Sequence, residues 1–89
     1  MPRAEARIIN KLGLHARAAA KLVQLSNQFH AKVLLEKDGE EADGKSIMDV
    51  LMLAGTKDSV ITVTADGHDE DTALQEICTL IQNKFGEEE

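Results

Sequence analysis

Segments with a strand-like pattern alternate with segments of helical period along this chain, in the order β-α-β-β-α-β-α, and that order constrains the fold more than any other feature. Residues 4–10 set Ala4, Ala6 and Ile8 against Glu5 and Arg7, the alternation of a half-buried strand. Lys11-Leu12-Gly13-Leu14 breaks it. Over residues 16–28 the period becomes helical: Ala18, Leu22, Leu25 and Phe29 form one apolar stripe, Ala19 and Val23 widen it, and Lys21, Gln24 and Gln28 are left to face water. Residues 33–36 read as a second strand, Asp38-Gly39 supplies a turn tolerant of positive φ, and residues 40–43 return as a short polar third strand, completing a hairpin.

Gly44-Lys45-Ser46 opens a second, short helix in which Ser46 accepts from a free first-turn N–H and Asp49, three residues on, resembles the acidic half of a capping box. Ile47, Val50, Leu51 and Ala54 share its inward face, leaving Met48, Met52 and Leu53 on other faces. Residues 59–65, rich in β-branched side chains, form a fourth strand closed by Asp66-Gly67. The last helix runs over residues 69–85, with Glu70 and Asp71 in its first turn and Ala73, Leu74, Ile77, Leu80 and Ile81 turned inward. One apolar face per helix predicts an α+β open-faced sandwich, a four-stranded antiparallel sheet covered on one face by three helices. At 89 residues the chain has room for one core, so residues 1–89 are read as one domain, with residues 86–89, Gly-Glu-Glu-Glu, as a frayed, solvated tail without chemistry.

Charge and composition exclude several functions. Sixteen acidic against ten basic residues give a net charge of -6, and two Phe with no Trp or Tyr leave little for bases to stack on, so nucleic acid is not an expected partner. No apolar run approaches the roughly 18 to 20 residues that span a bilayer. The opening Met1-Pro2-Arg3-Ala4-Glu5 has no secretory character, so a cytoplasmic location is expected. Cys78 is the only cysteine and sits among Ile77, Leu80 and Ile81, which reads as a buried structural thiol. His30 and His68 are far along the topology from His15, and no metal centre or cofactor is expected.

His15 lies between a Gly-containing loop and an amphipathic helix, beside the unpaired amides of the first turn. Those of Ala16, Arg17 and Ala18 suit a phosphate oxygen, and Arg17 adds a guanidinium. Imidazole is a nucleophile that needs no high-pKa proton removed, and its N–P bond is labile enough to pass the group on. Two readings fit these residues: a nucleophile at an anion site, or a histidine that merely caps a helix beside a surface arginine.

The string Asn10-Lys11-Leu12-Gly13-Leu14-His15-Ala16-Arg17-Ala18-Ala19 resembles the phosphorylation site of the HPr family, the histidine-containing phosphocarriers of the bacterial phosphotransferase system. The family's loop reads Gly-Leu/Met-His-x-Arg-Pro-Ala, with Gly13, Leu14, His15, Arg17 and Ala19 at the matching places. Length, element order and the segment Lys45-Ser46-Ile47-Met48-Asp49-Val50-Leu51 extend the likeness over the whole chain. The resemblance implies that His15 accepts a phosphoryl group on Nδ1 from an enzyme I charged by phosphoenolpyruvate and passes it to an enzyme II A component, as a relay protein rather than an enzyme. The family's usual Pro is Ala18 here, which keeps the helix, adds an amide donor and lets the loop move more.

The same resemblance gives Ser46 a second reading beside its cap, as a regulatory site for an HPr kinase/phosphorylase, where added negative charge would weaken docking. Leu12, Ala16, Ala20, Met48 and Met52 are the candidate docking residues for successive partners of a monomeric carrier, while Leu53 beside them reads equally as a core residue. Gln24, Asn27 and Asp49 stand where sugar-route members carry lysines, and with Leu51-Met52-Leu53 they lean toward the nitrogen-related (NPr) branch, whereas Ser46-Ile47-Met48 leans toward HPr. A binding module that regulates a partner without phosphorylation is the alternative from another class. A stand-alone hydrolase lacks a paired carboxylate or general base near His15.

Overall fold

The computed structural model describes residues 2–53 and 55–89. It contains strand β1 (Arg3–Arg7), helix α1 (Ala16–Ser26), strands β2 (Lys32–Lys37) and β3 (Glu40–Asp43), helix α2 (Ile47–Met52), strand β4 (Val60–Asp66), helix α3 (Glu70–Gln82) and a 3-10 turn over Lys84–Gly86. The four strands form one sheet in the order β1-β4-β2-β3, with every pair antiparallel. This is the architecture that the alternation of periods predicts.

Register explains why all three helices lie on one face. Ala4 opposes Val63, Val63 opposes Leu35, and Leu35 opposes Ala42, so one row of small and branched apolar side chains crosses the whole sheet. The neighbouring row, Glu5, Thr62, Glu36 and Glu41, is polar and faces away. Ala18, Ala19 and Leu22 of α1, Val50 of α2 and Ile77 and Ile81 of α3 close over the apolar face. A smaller cluster of Ala31, Ala65 and Ala73, with Phe29 and Leu74 against it, fills the far end.

Tertiary packing adjusts the element ends and faces. β1 stops at Arg7 rather than residue 10, because the next backbone groups pair with the loop before β4. α1 stops at Ser26, where the Asn27 side chain donates back to the Val23 carbonyl at 2.9 Å. Its buried stripe is Ala18, Ala19, Leu22 and Ser26, with Leu25 and Phe29 only half-buried. Lys21 does not simply face water, since its Nζ donates to the Phe85 carbonyl at 2.8 Å. On α2 the expected inward Ile47 is exposed, while Leu53, expected on another face, is core; Ala54 lies outside the described residues. α3 ends at Gln82 and gives way to the 3-10 turn. Cys78 is half-buried rather than buried, and burial pushes its thiol above the ordinary range, as expected of a structural cysteine.

Asp69 precedes α3 without capping it. Its two carboxylate oxygens accept from the backbone amides of His30 at 2.9 Å and Ala31 at 2.8 Å, tying the start of α3 to the entry of β2. The His30 amide holds this carboxyl below its ordinary value; burial opposes the effect, and the Ala31 amide reinforces it. A carboxyl whose folded value lies below its unfolded value of about 4 favours the folded state above that pH, and the contribution disappears as pH falls through the folded value. Asp69→Asn is therefore expected to melt below the parent at pH 7, and the gap should narrow as both proteins are taken to more acid pH. Thermal melts across that range check this, and a gap independent of pH would contradict it.

Candidate functional site

The loop between β1 and α1 is pinned on both sides of its tip. Buried Ile8 donates to the Ser59 carbonyl at 2.9 Å and accepts from the Asp58 amide at 2.6 Å. Asn10, fully buried, accepts from the Gly13 amide at 3.2 Å, and its side-chain amide donates to the Gly13 carbonyl at 2.9 Å. Leu14 sinks into the core and donates to the Gly55 carbonyl at 2.8 Å. Gly13 takes φ +65 so close to that carbonyl that a Cβ would stand 2.4 Å from its oxygen, so this position admits only glycine without rearrangement. Leu12 is left at the tip, 68% exposed, and the chain arrives at His15 in a fixed direction.

His15 is the N-cap of α1, in extended backbone (φ -75, ψ 177), and its carbonyl accepts the Ala19 amide at 2.9 Å. Nδ1 accepts from the Arg17 amide at 3.3 Å, so one of the three amides expected to meet an anion is directed at the imidazole itself. Nε2 pairs with the Glu87 carboxylate, on a side chain 72 residues away in sequence. The Arg17 side chain is exposed beside it, and the Ala18 side chain is buried within the first turn.

Glu87 corrects the expectation of a frayed tail. Lys84, Phe85 and Gly86 all take positive φ (59, 54 and 80), which turns the chain back on itself after α3. Phe85 is completely buried, so the reversal is anchored in the core. The last residues then lie along the loop: Asn10 Nδ2 donates to Glu87 Oε1 at 2.9 Å, and the Lys11 amide donates to the Glu89 carbonyl. Burial resists ionisation of Glu87, but the Asn10 hydrogen bond, the His15 hydrogen bond and the nearby His15 and Lys21 outweigh it and hold the carboxyl below its ordinary value. Lys11, Leu12, His15, Ala16, Arg17 and the three terminal glutamates line an open depression of about 690 Å³.

The other expected residues fall around this depression or apart from it. Ala16 is exposed in its lining and Ala20 is half-buried one turn along α1. Met48 and Met52 are 64% and 72% exposed on α2, outside the lining. Ser46 is the N-cap of α2, its Oγ accepting from the Asp49 amide at 3.3 Å. The reciprocal half of the capping box is absent: the Ser46 amide donates to the Asp43 carbonyl at 3.0 Å, and Asp49 Oδ2 accepts from the Asp43 amide at 3.3 Å. The glutamates are the lining residues that sequence reasoning missed, because a run of Glu after Gly86 has the signature of a solvated terminus.

Comparison with known proteins agrees with this geometry. The family described as "PTS HPr component phosphorylation site" matches residues 2–83. Phosphocarrier protein HPr of Cupriavidus necator is 51% identical over 82 residues, covering 92% of each chain. Phosphocarrier protein NPr of Shewanella violacea is 42% identical over 80 residues, covering 90% of this chain and 88% of its own. The crystal structure of an HPr from Thermoanaerobacter tengcongensis superposes over 100% of both chains with a TM-score of 0.96 at 39% identity. A fold built around a loop histidine at the start of α1, matched end to end by phosphocarriers, places this chain in the HPr family of the phosphotransferase system.

Proposed function

We propose that the protein relays phosphoryl groups in the phosphoenolpyruvate-dependent phosphotransferase system, with His15 Nδ1 as the acceptor atom. The observation that carries this reading is the direction of Nδ1 toward the Arg17 amide at the start of α1. A phosphoryl group on that nitrogen would project into the field of free N–H groups and the positive end of the helix dipole, with the amides of Ala16, Arg17 and Ala18 and the Arg17 guanidinium as its ligands. The imidazole supplies the electron pair, so the N–P bond forms without a separate general base, and it stays reactive enough to be passed on. The half-exposed ring in an open depression suits a group that two proteins must reach in turn.

Enzyme I is the donor in this reading and an enzyme II A component the acceptor, both docking on Leu12, Ala16, Ala20, Met48 and Met52. A single chain holds all the residues of the site, which supports a monomeric carrier. No helix among the described residues is long and apolar enough to cross a membrane, in keeping with work in the cytoplasm. The higher identity to the HPr relative than to the NPr relative favours the sugar-uptake branch over the nitrogen-related one. Ser46, partly exposed at the start of α2, is the regulatory phosphorylation site in this scheme.

The test is charging by phosphoenolpyruvate and an enzyme I from the same cell, followed by mapping of acid-labile phosphate. Phosphate on His15 is the expected result, and failure with every such enzyme I would sink the relay. Ser46→Asp should be charged more slowly than the parent in the same assay, and an equal rate would remove the regulatory role.

A further inference from the structure

Outside the acceptor loop, the contact with the clearest chemical consequence is the one between the carboxyl-terminal segment and the imidazole. His15 Nε2 faces a carboxylate, and that carboxylate is itself held by a buried amide, Asn10 Nδ2, which also holds the Gly13 carbonyl. Glu87 is thus built into the loop rather than laid against it: its side chain is 16% exposed, and it lies two residues beyond the buried Phe85. A carboxylate is an acceptor only, so the ring nitrogen facing it must carry the hydrogen. In a neutral imidazole this leaves the lone pair on the other nitrogen, Nδ1, the atom directed at the Arg17 amide.

We infer that Glu87 is a positioning residue for phosphoryl transfer, holding His15 in the Nε2–H tautomer so that Nδ1 presents its lone pair to the incoming phosphorus. The inference rests on the reading of His15 as the acceptor. In the transfer, the Nδ1 lone pair forms the new N–P bond while the donor's bond to phosphorus breaks and its electron pair returns to the donor atom. The His15 ring keeps its Nε2 hydrogen and becomes cationic. Glu87, already ionised and aimed at that hydrogen, meets the new charge without reorganisation. Handing the group on reverses these changes and restores the neutral Nε2–H ring. Asn10 orients the carboxylate in turn, as outer hydrogen bonds do for ligating histidines.

Glu87→Gln separates this role from a purely structural one, because it keeps shape and changes hydrogen-bonding character. If the Gln oxygen accepts from Asn10, its NH₂ faces Nε2, which must then become the acceptor and move the ring hydrogen to Nδ1. Long-range proton–nitrogen NMR spectra of the neutral imidazole read the tautomer directly in the uncharged protein. The parent is expected in the Nε2–H form and Glu87→Gln shifted toward Nδ1–H. Charging of the variant by enzyme I should be about tenfold slower, the low end of what is lost when a histidine's orienting partner is removed, and Glu87→Asp should recover part of both signals. An unchanged tautomer population in Glu87→Gln would overturn the inference, as would a shifted tautomer with an unchanged charging rate. The NMR measurement stands even if no enzyme I charges the parent, so failure of the relay reading and failure of the Glu87 role give different results.

Discussion

His15→Asn should accept no phosphoryl group while folding as stably as the parent. Asn is among the best N-cap residues, and its side-chain oxygen can take over the contact that Nδ1 makes with the Arg17 amide. The substitution therefore keeps the cap and removes the nucleophile, dividing the two readings that the local residues allow. If His15 were only a cap, the variant would behave as the parent in every assay. If it is the acceptor, acid-labile phosphate falls below detection, a loss of at least about a thousandfold of the kind seen when a nucleophile is removed, while the unfolding midpoint changes by less than about 1 kcal/mol equivalent. Phosphate that still appears on the variant would move the site to another residue. Regulation of a partner that survives the change would instead favour a binding module.

Phe85→Ala is expected to cost about 3–5 kcal/mol, the usual range for emptying a fully buried aromatic site, and to lower Tm by on the order of 20 °C in a domain of this size. Phe85 is completely buried against the main core and bears the left-handed turn that reverses the chain after α3. Alanine at φ 54 keeps the backbone strain and loses the burial that offsets it. Lys21 holds the Phe85 carbonyl, so loosening this turn also frees the residues that bring Glu87 to His15. Denaturant unfolding gives the stability change, and a loss below about 1 kcal/mol would show that Phe85 does not anchor the turn. Under conditions where the variant remains folded, its charging should slow as in Glu87→Gln, because the same carboxylate is displaced.

Local pattern fixed a great deal. The hairpin at Asp38-Gly39, the caps at His15 and Ser46, and the seven elements in their order follow from residues within a turn or a pleat of one another, whose spacing is written directly in the chain. The acceptor loop is legible for the same reason: Gly13, His15 and Arg17 are close in sequence, and their chemistry follows from what each side chain is. Even so, it is the family resemblance, rather than spacing, that favours an acceptor over a cap at His15.

Contacts between distant parts of the chain decided the rest. Ile47 looked inward by period and is exposed, and Leu53, off the inward stripe by period, is core, because a helix as short as α2 is turned by what it packs on. Asp49 does not complete the expected capping box, because the Ser46 amide is taken by the Asp43 carbonyl and the Asp49 carboxylate accepts from the Asp43 amide instead. Asp69, read from the sequence only as the first residue of the last helix, binds two amides at the mouth of β2. The largest departure is at the end of the chain. Gly-Glu-Glu-Glu has no apolar period to reveal where it lies, so its place depends on Phe85 finding the core and on Asn10, 77 residues away, offering a donor. The sequence by itself determined the fold, through the spacing of neighbours, and singled out His15 as the candidate acceptor, through its resemblance to the family loop. Only the tertiary structure decided what stands against its Nε2, since that carboxylate is brought there by packing across the whole chain.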